Sequence, residues 1–209
     1  MRYARPLIAG SAAVLAATLG ATAALAATTW TIKPGGTVSA SAPEASFKDT
    51  KTGSNQTCGS MTAGATLKSG SGMSGSGAGS IPAFTFTHCT NPLGRTSRVT
   101  FSVTAAGLPW HINFSSFGSG IVTGSISHMR IRLVGPSCSA VMDGTSATAS
   151  DGHVRFSYSN STGHLKTLTT GGNLHFYNVM GCAGLFNNGD PMTISANFTV
   201  SPKQAITSP

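Results

Sequence analysis

Charge is scarce in this chain. Only 9% of its 209 residues are charged, and Asp and Glu together number 5, against the ~25% charged that soluble domains usually carry. Hydroxyls and amides must therefore wet the surface. Glu44, Asp49, Asp143, Asp151 and Asp190 are all the carboxylates. The last three stand in Asp-Gly, Asp-Gly and Gly-Asp-Pro turns, whose geometry already accounts for them. A carboxylate pair flanking a scissile bond is thus not indicated, nor is there a G-x-S-x-G nucleophile elbow. No catalytic residue is assigned.

Metal and cofactor signals are missing as well. C-x-x-C, H-x-x-x-H and H-E-x-x-H do not occur, and His153 and His175 fall on the polar phase of their strands, where solvated faces are expected. Gly70-Ser71-Gly72-Met73-Ser74-Gly75 fits the dinucleotide pattern G-x-G-x-x-G, but no helix follows to hold a pyrophosphate, so the match is assigned to low complexity. No cofactor and no metal ligand are expected. The formal charge of +8 is spread thinly, with Arg130 and Arg132 the only tight basic pair on one strand face. No aromatic platform alternates with basic residues, which argues against nucleic acid. A modest positive excess suits an anionic cell-wall polymer or glycan.

Long apolar runs are confined to the start. Arg2 and Arg5 precede an apolar stretch from Pro6 to about Leu25, and Ala24-Leu25-Ala26 forms a small-x-small site. This reads as a secretory signal peptide over residues 1–26, with 27–209 released as a single extracellular β domain and no membrane association after cleavage. Four cysteines in an exported chain imply a disulfide framework, and four cysteines allow three pairings.

Spacing offers a choice among those pairings. Trp30 precedes Cys58 by the same interval as Trp110 precedes Cys138, and these are the only tryptophans. Gly64 and Gly144 stand equally far past the first cysteine of each half, and Val99 and Met192 open alternating strands equally far past the second. Such self-similarity points to two pseudo-repeats, about 28–107 and 108–202. Each would carry its own bridge, Cys58–Cys89 and Cys138–Cys182.

Period-two alternation dominates the rest. Met129-Ile131-Leu133, Val154-Phe156-Tyr158, Ile194-Ala196-Phe198-Val200 and Phe84-Phe86 each alternate with polar residues, as half-buried strands do. Turn signals such as Lys33-Pro34-Gly35-Gly36 and Asn188-Gly189-Asp190-Pro191 separate the runs. The expectation is all-β: an antiparallel β-sandwich or barrel built from two pseudo-repeats, each with one disulfide. The Gly/Ser-rich stretch from Lys68 to Ser80, broken only by Met73 and Ala78, lacks the apolar residues needed to offset the entropy of ordering and reads as a flexible surface loop. Trp30 and Trp110 read first as core residues, while Trp110, His111, Arg130 and Arg132 are the candidate ligand contacts.

The runs Trp30 to Gly36, Thr66 to Gly72, Gly107-Leu108-Pro109-Trp110 and, most specifically, Thr169 to Leu185 around Cys182 resemble a group of exported actinobacterial proteins without an assigned function. The resemblance implies export and a disulfide-bearing β domain, and supplies no catalytic residues. The reading from sequence is a secreted, non-catalytic extracellular or surface-associated protein. Two alternatives accompany it: a binder of a small ligand or glycan, and an extracellular hydrolase with a composite site.

Overall fold

Short apolar–polar alternations punctuated by Gly and Pro favour strands over helices, and strands are what form. The computed structural model describes residues 29–93 and 97–209; the expected signal peptide and its cleavage site lie outside the described residues. In chain order the strands are β1 (Thr29–Lys33), β2 (Gly36–Ala42), β3 (Ala45–Asp49), β4 (Asn55–Leu67), β5 (Gly70–Ser74), β6 (Gly79–Leu93), β7 (Ser97–Ala106), β8 (Trp110–Gly118), β9 (Ile121–Val134), β10 (Ser139–Asp143), β11 (Gly152–Ser159), β12 (His164–Leu168), β13 (His175–Met180), β14 (Met192–Ser201) and β15 (Ala205–Thr207).

Eight strands close into an antiparallel barrel. Around the wall run β2, β4, β6, β8, β9, β11, β12 and β14, and β14 pairs with β2 to shut the ring. Several other strands prolong these wall positions. β2 and β3 oppose β4 in one continuous register, Gly36 facing Leu67 and Lys48 facing Asn55. Pro43 falls between them, where its missing N–H interrupts the ladder. β7 and β8 likewise share the place between β6 and β9, broken at Gly107-Leu108-Pro109. β10 and β11 both lie along β9. Wall positions thus follow one another in chain order as an up-and-down meander, with two excursions, β5 between β4 and β6 and β13 between β12 and β14.

Both expected bridges are present. Cys58–Cys89 joins directly opposed residues of β4 and β6, and Cys138–Cys182 ties the approach to β10 to the exit of β13. The matched landmarks, however, occupy different places. Trp30 sits in β1, outside the barrel wall, whereas Trp110 opens the wall strand β8. The seam drawn at 107/108 falls between β7 and β8, inside a single wall position. Equal intervals in sequence do not bring equal positions in the fold here.

The barrel interior holds the core. Inward side chains follow the predicted phase in β9 (Met129, Ile131, Leu133), β11 (Val154, Phe156, Tyr158) and β14 (Ile194, Ala196, Phe198), all buried. β6 departs from simple alternation. Its register against β4 shifts between Ser80 and Ala83, and against β7 between Thr85 and Cys89, where His88 has φ 51°. A bulge moves the inward phase by one residue. Ile81, then Phe84 and Phe86, then Cys89 therefore all turn inward.

A small sheet in the order β15–β1–β5 covers the end of the barrel where β2 begins and β14 finishes. This corrects the expectation of a flexible loop at Lys68 to Ser80: Thr29 and Trp30 of β1 pair with Ser74 and Met73 of β5. The ordering comes from backbone pairing and from Trp30, which is 2% exposed and packs 5.1 Å from the Phe114 ring. Burial of an aromatic side chain of this size contributes about 4–6 kcal/mol before entropy is counted. Glycine is required beneath it. A Cβ on Gly75 would stand 2.5 Å from Trp30 Nε1 and 2.6 Å from the Phe114 carbonyl.

The opposite end is plugged by the 181–191 segment. Phe186 is 1% exposed and stacks on Phe176 at 4.5 Å, with Phe101 at 6.3 Å. Thr52 Oγ1 donates to the Leu185 carbonyl at 2.9 Å, and Lys51 Nζ lies 3.3 Å from Asp190. No helix among the described residues is long and apolar enough to cross a membrane.

Candidate functional site

Alanine at inward positions leaves room that larger side chains would fill. β2 contributes Val38 and Ala40 and β4 contributes Ala63 and Ala65 to a cavity of about 70 Å³ beneath the β15–β1–β5 sheet. Across the lumen stand Phe84, Phe114, Phe156, Leu165, Phe198 and Val200. All eight wall strands supply residues, and no polar atom contributes exposed surface to the cavity. Several of these side chains point inward yet are only half-buried, among them Ala40, Ala63, Phe84, Leu165 and Val200.

The nearest polar groups are engaged with one another. Tyr158 Oη donates to the Gln204 carbonyl at 2.9 Å and accepts from the Gln204 N–H at 2.8 Å. Gln204 Oε1 accepts from the Gly35 N–H at 2.8 Å, and its Nε2 donates to the Pro202 carbonyl at 2.8 Å. One buried residue thus ties β11, through its backbone, and the β1–β2 turn, through its side chain, to the approach to β15. Burial, which disfavours the phenolate, pushes the Tyr158 hydroxyl above its ordinary range. Asn160 adds a second tie, donating to the Ile206 carbonyl at 2.7 Å and accepting from the Ile206 N–H at 3.1 Å.

Deeper in the lumen lies a second space of about 20 Å³, bordered by Met61, Phe86, Trp110, Met129, Val154 and Ile194 among others. Thr167 also reaches it, but its hydroxyl donates to the Ile194 carbonyl at 2.9 Å and accepts from the Ala196 N–H at 2.8 Å. Phe84, Ile126 and Phe198 border both spaces. Polar interior groups gather at the far end instead, where Asp49, Gln56 and Asn91 are buried near the plug. Asp49 Oδ1 caps the Lys51 and Thr52 N–H groups there.

The four candidate contacts do not converge. Trp110 is fully buried, its Nε1 donates to the Ala106 carbonyl at 3.0 Å, and its ring lies 5.1 Å from Phe84. It is a core residue bordering the deeper space, so it offers no exposed stacking face. His111 faces outward from the next residue of β8, with its ring 4.3 Å from that of His128. Arg130 also faces outward, but its Nε lies 3.9 Å from Asp143 Oδ2 and its charge is spent on that buried carboxylate. Arg132 is exposed on the outer wall between Thr104 and Val141. Outer-wall charges and the inner cavity are therefore separate features.

Asp143 has a structural occupation. Its carboxylate accepts from the N–H groups of Gly144, Ser150, Asp151 and Gly152, holding the 144–151 loop against the wall. The histidines on polar strand phases are likewise engaged, with His153 Nε2 3.1 Å from the Gly171 carbonyl and His175 Nδ1 2.8 Å from the Asn173 carbonyl. Among the described residues no three His, Cys, Asp or Glu side chains gather as a metal site.

The alanines of β2 and β4 were the signal for the cavity. In a chain rich in Ala, Ser and Gly they read as background, because a void depends on what stands opposite and not on any one residue. No protein family, curated protein or solved structure is found to match the chain.

Proposed function

We propose that the chain is a secreted, non-catalytic binding protein whose barrel takes up a small apolar molecule, or the apolar end of a larger one. The observation that carries this reading is the apolar cavity lined by all eight wall strands. Eight-stranded barrels are wide enough either to be filled by side chains or to hold one small ligand. An unfilled space has a cost. At about 24 cal/mol per Å³, a void of about 70 Å³ lowers stability by about 1.7 kcal/mol, which larger residues at Ala40 or Ala63 would recover. A guest that fills the space offsets that loss.

Polarity sets the class of guest. With no donor or acceptor facing the cavity, a polar molecule would surrender its hydrogen bonds to water without replacement, at about 1–3 kcal/mol for each unpaired group. Hydrocarbon surface gains about 25 cal/mol per Å² buried. Size is set as well: an apolar cavity of ~150 Å³ binds benzene or xenon, and this one is about half as large. The two disulfides suit an oxidising, extracellular setting.

Xenon pressurisation with methyl NMR tests the reading. The methyl signals of Ala40, Ala63, Leu165 and Val200 should shift on xenon uptake, and Ala63→Leu, which fills the cavity, should abolish the response without loss of stability. Lining methyls that ignore xenon in the native chain would overturn the proposal.

A further inference from the structure

Resting on that reading, we infer that the lumen is a two-chamber slot for an unbranched hydrocarbon chain, with Phe84 as the partition that limits how much chain enters. The two spaces follow one another along the barrel interior. The upper is lined by residues near the covered end, such as Val38, Leu67 and Ile206, and the lower by residues nearer the plug, such as Met61, Met129 and Ile131. Three side chains stand between them: Phe84, Ile126 and Phe198. Neither chamber is lined by a polar atom with exposed surface. A succession of narrow apolar spaces fits a flexible chain, whereas a compact ring must be housed in one chamber.

Phe84 is the member of the partition best placed to yield. The bulge between Ser80 and Ala83 turns it into the lumen, where its ring lies 4.8 Å from Phe86, 5.1 Å from Trp110 and 6.1 Å from Phe198. It borders free space above and below and is only half-buried, while Ile126 and Phe198 are 7% and 4% exposed. A side chain with empty volume on two sides has other staggered rotamers within reach. Turning it joins the chambers. Ile126, β-branched and in a paired strand, is held more firmly at χ1.

The test compares ethane through n-pentane with cyclobutane, using methyl NMR titration of the native chain, Phe84→Ala and Phe101→Ala. Each added methylene should tighten binding about fourfold until the accessible slot is filled, after which the gain stops. Phe84→Ala should move that stop to a longer chain. Phe101→Ala, which removes the same bulk near the plug, should leave it unchanged. Cyclobutane should bind the native chain more weakly than n-butane. A stop at the same length in the native chain and Phe84→Ala, or equal binding of the two four-carbon compounds, would overturn the inference. If Phe84→Ala does not fold, Phe84→Leu is read by the same criterion. Xenon shifts in the lining methyls with no chain-length dependence would sink the two-chamber slot alone, whereas no xenon response would remove the binding reading itself.

Discussion

Replacing Tyr158 by Phe keeps the ring in the cavity wall and deletes only the hydroxyl that grips Gln204. In the native chain that hydroxyl satisfies both the N–H and the carbonyl of Gln204, at 2.8 and 2.9 Å, in a buried joint. Each buried group left unpaired costs about 1–3 kcal/mol. With some relief from water at the covered end, Tyr158→Phe should destabilise the protein by about 2–4 kcal/mol. At about 2–4 °C per kcal/mol for a chain of this size, Tm should fall by about 5–15 °C. Denaturant unfolding with an unchanged slope gives the free energy, and hydrogen exchange locates it. Amides of Gln204 and Ile206 should lose protection while those of Ile131 and Leu133 lose only the global increment. The alkaline limb gives a second readout. Because the folded phenol titrates above its unfolded value of ~10, its contribution is complete below that pH and is lost as pH rises through the folded value. Native protein should therefore lose stability above pH ~10 more steeply than Tyr158→Phe. A stability change under about 0.5 kcal/mol, within the range of an ordinary surface substitution, together with unaltered exchange at Gln204, would refute the idea that this hydroxyl fastens the cover to the barrel.

Two further outcomes can be read on the same preparations. Asp143→Ala strips an acceptor from four backbone N–H groups and leaves Arg130 beside an empty place, so a loss of about 3–5 kcal/mol and proteolytic nicking within 144–151 are expected; an intact loop under limited proteolysis would contradict the assignment. Removing Cys58–Cys89 or Cys138–Cys182 as a pair of alanines opens loops of 31 or 44 residues, each worth about 3.5–4 kcal/mol in the chain-entropy account, and chemical denaturation should show the two losses to be similar; a negligible loss for either would set that account aside.

What could be read from the sequence was whatever a period of two encodes locally. The runs ending in Leu133, Tyr158 and Val200 announce their inner faces because each alternates without interruption. β6 does not, since its two bulges change phase twice within one strand and the residues themselves carry no mark of it. β5 was missed because its order is imposed from outside: Trp30 lies across Gly75 and β1 supplies the hydrogen bonds, so a segment without apolar residues of note is held by its neighbours. The cysteine pairing emerged from spacing, yet Trp30 and Trp110 show that the same spacing is a poor guide to place. Arg130 read as a candidate ligand contact and is the companion of Asp143, which lies thirteen positions along the chain but in the neighbouring strand. The cavity was hidden for a related reason, as it is a relation among eight strands.

The wall is sealed by residues 39–49 meeting residues 192–201, and β1 meets β15 only a few positions from the last residue. The segments that open the fold therefore wait for residues near 200 before they find their final neighbours, and until then β2 and β3 present an unclaimed border. Assembly of this kind is slow and exposed to aggregation. It also leaves the hollow uncovered until Gln204 and Ile206 reach Tyr158 and Asn160.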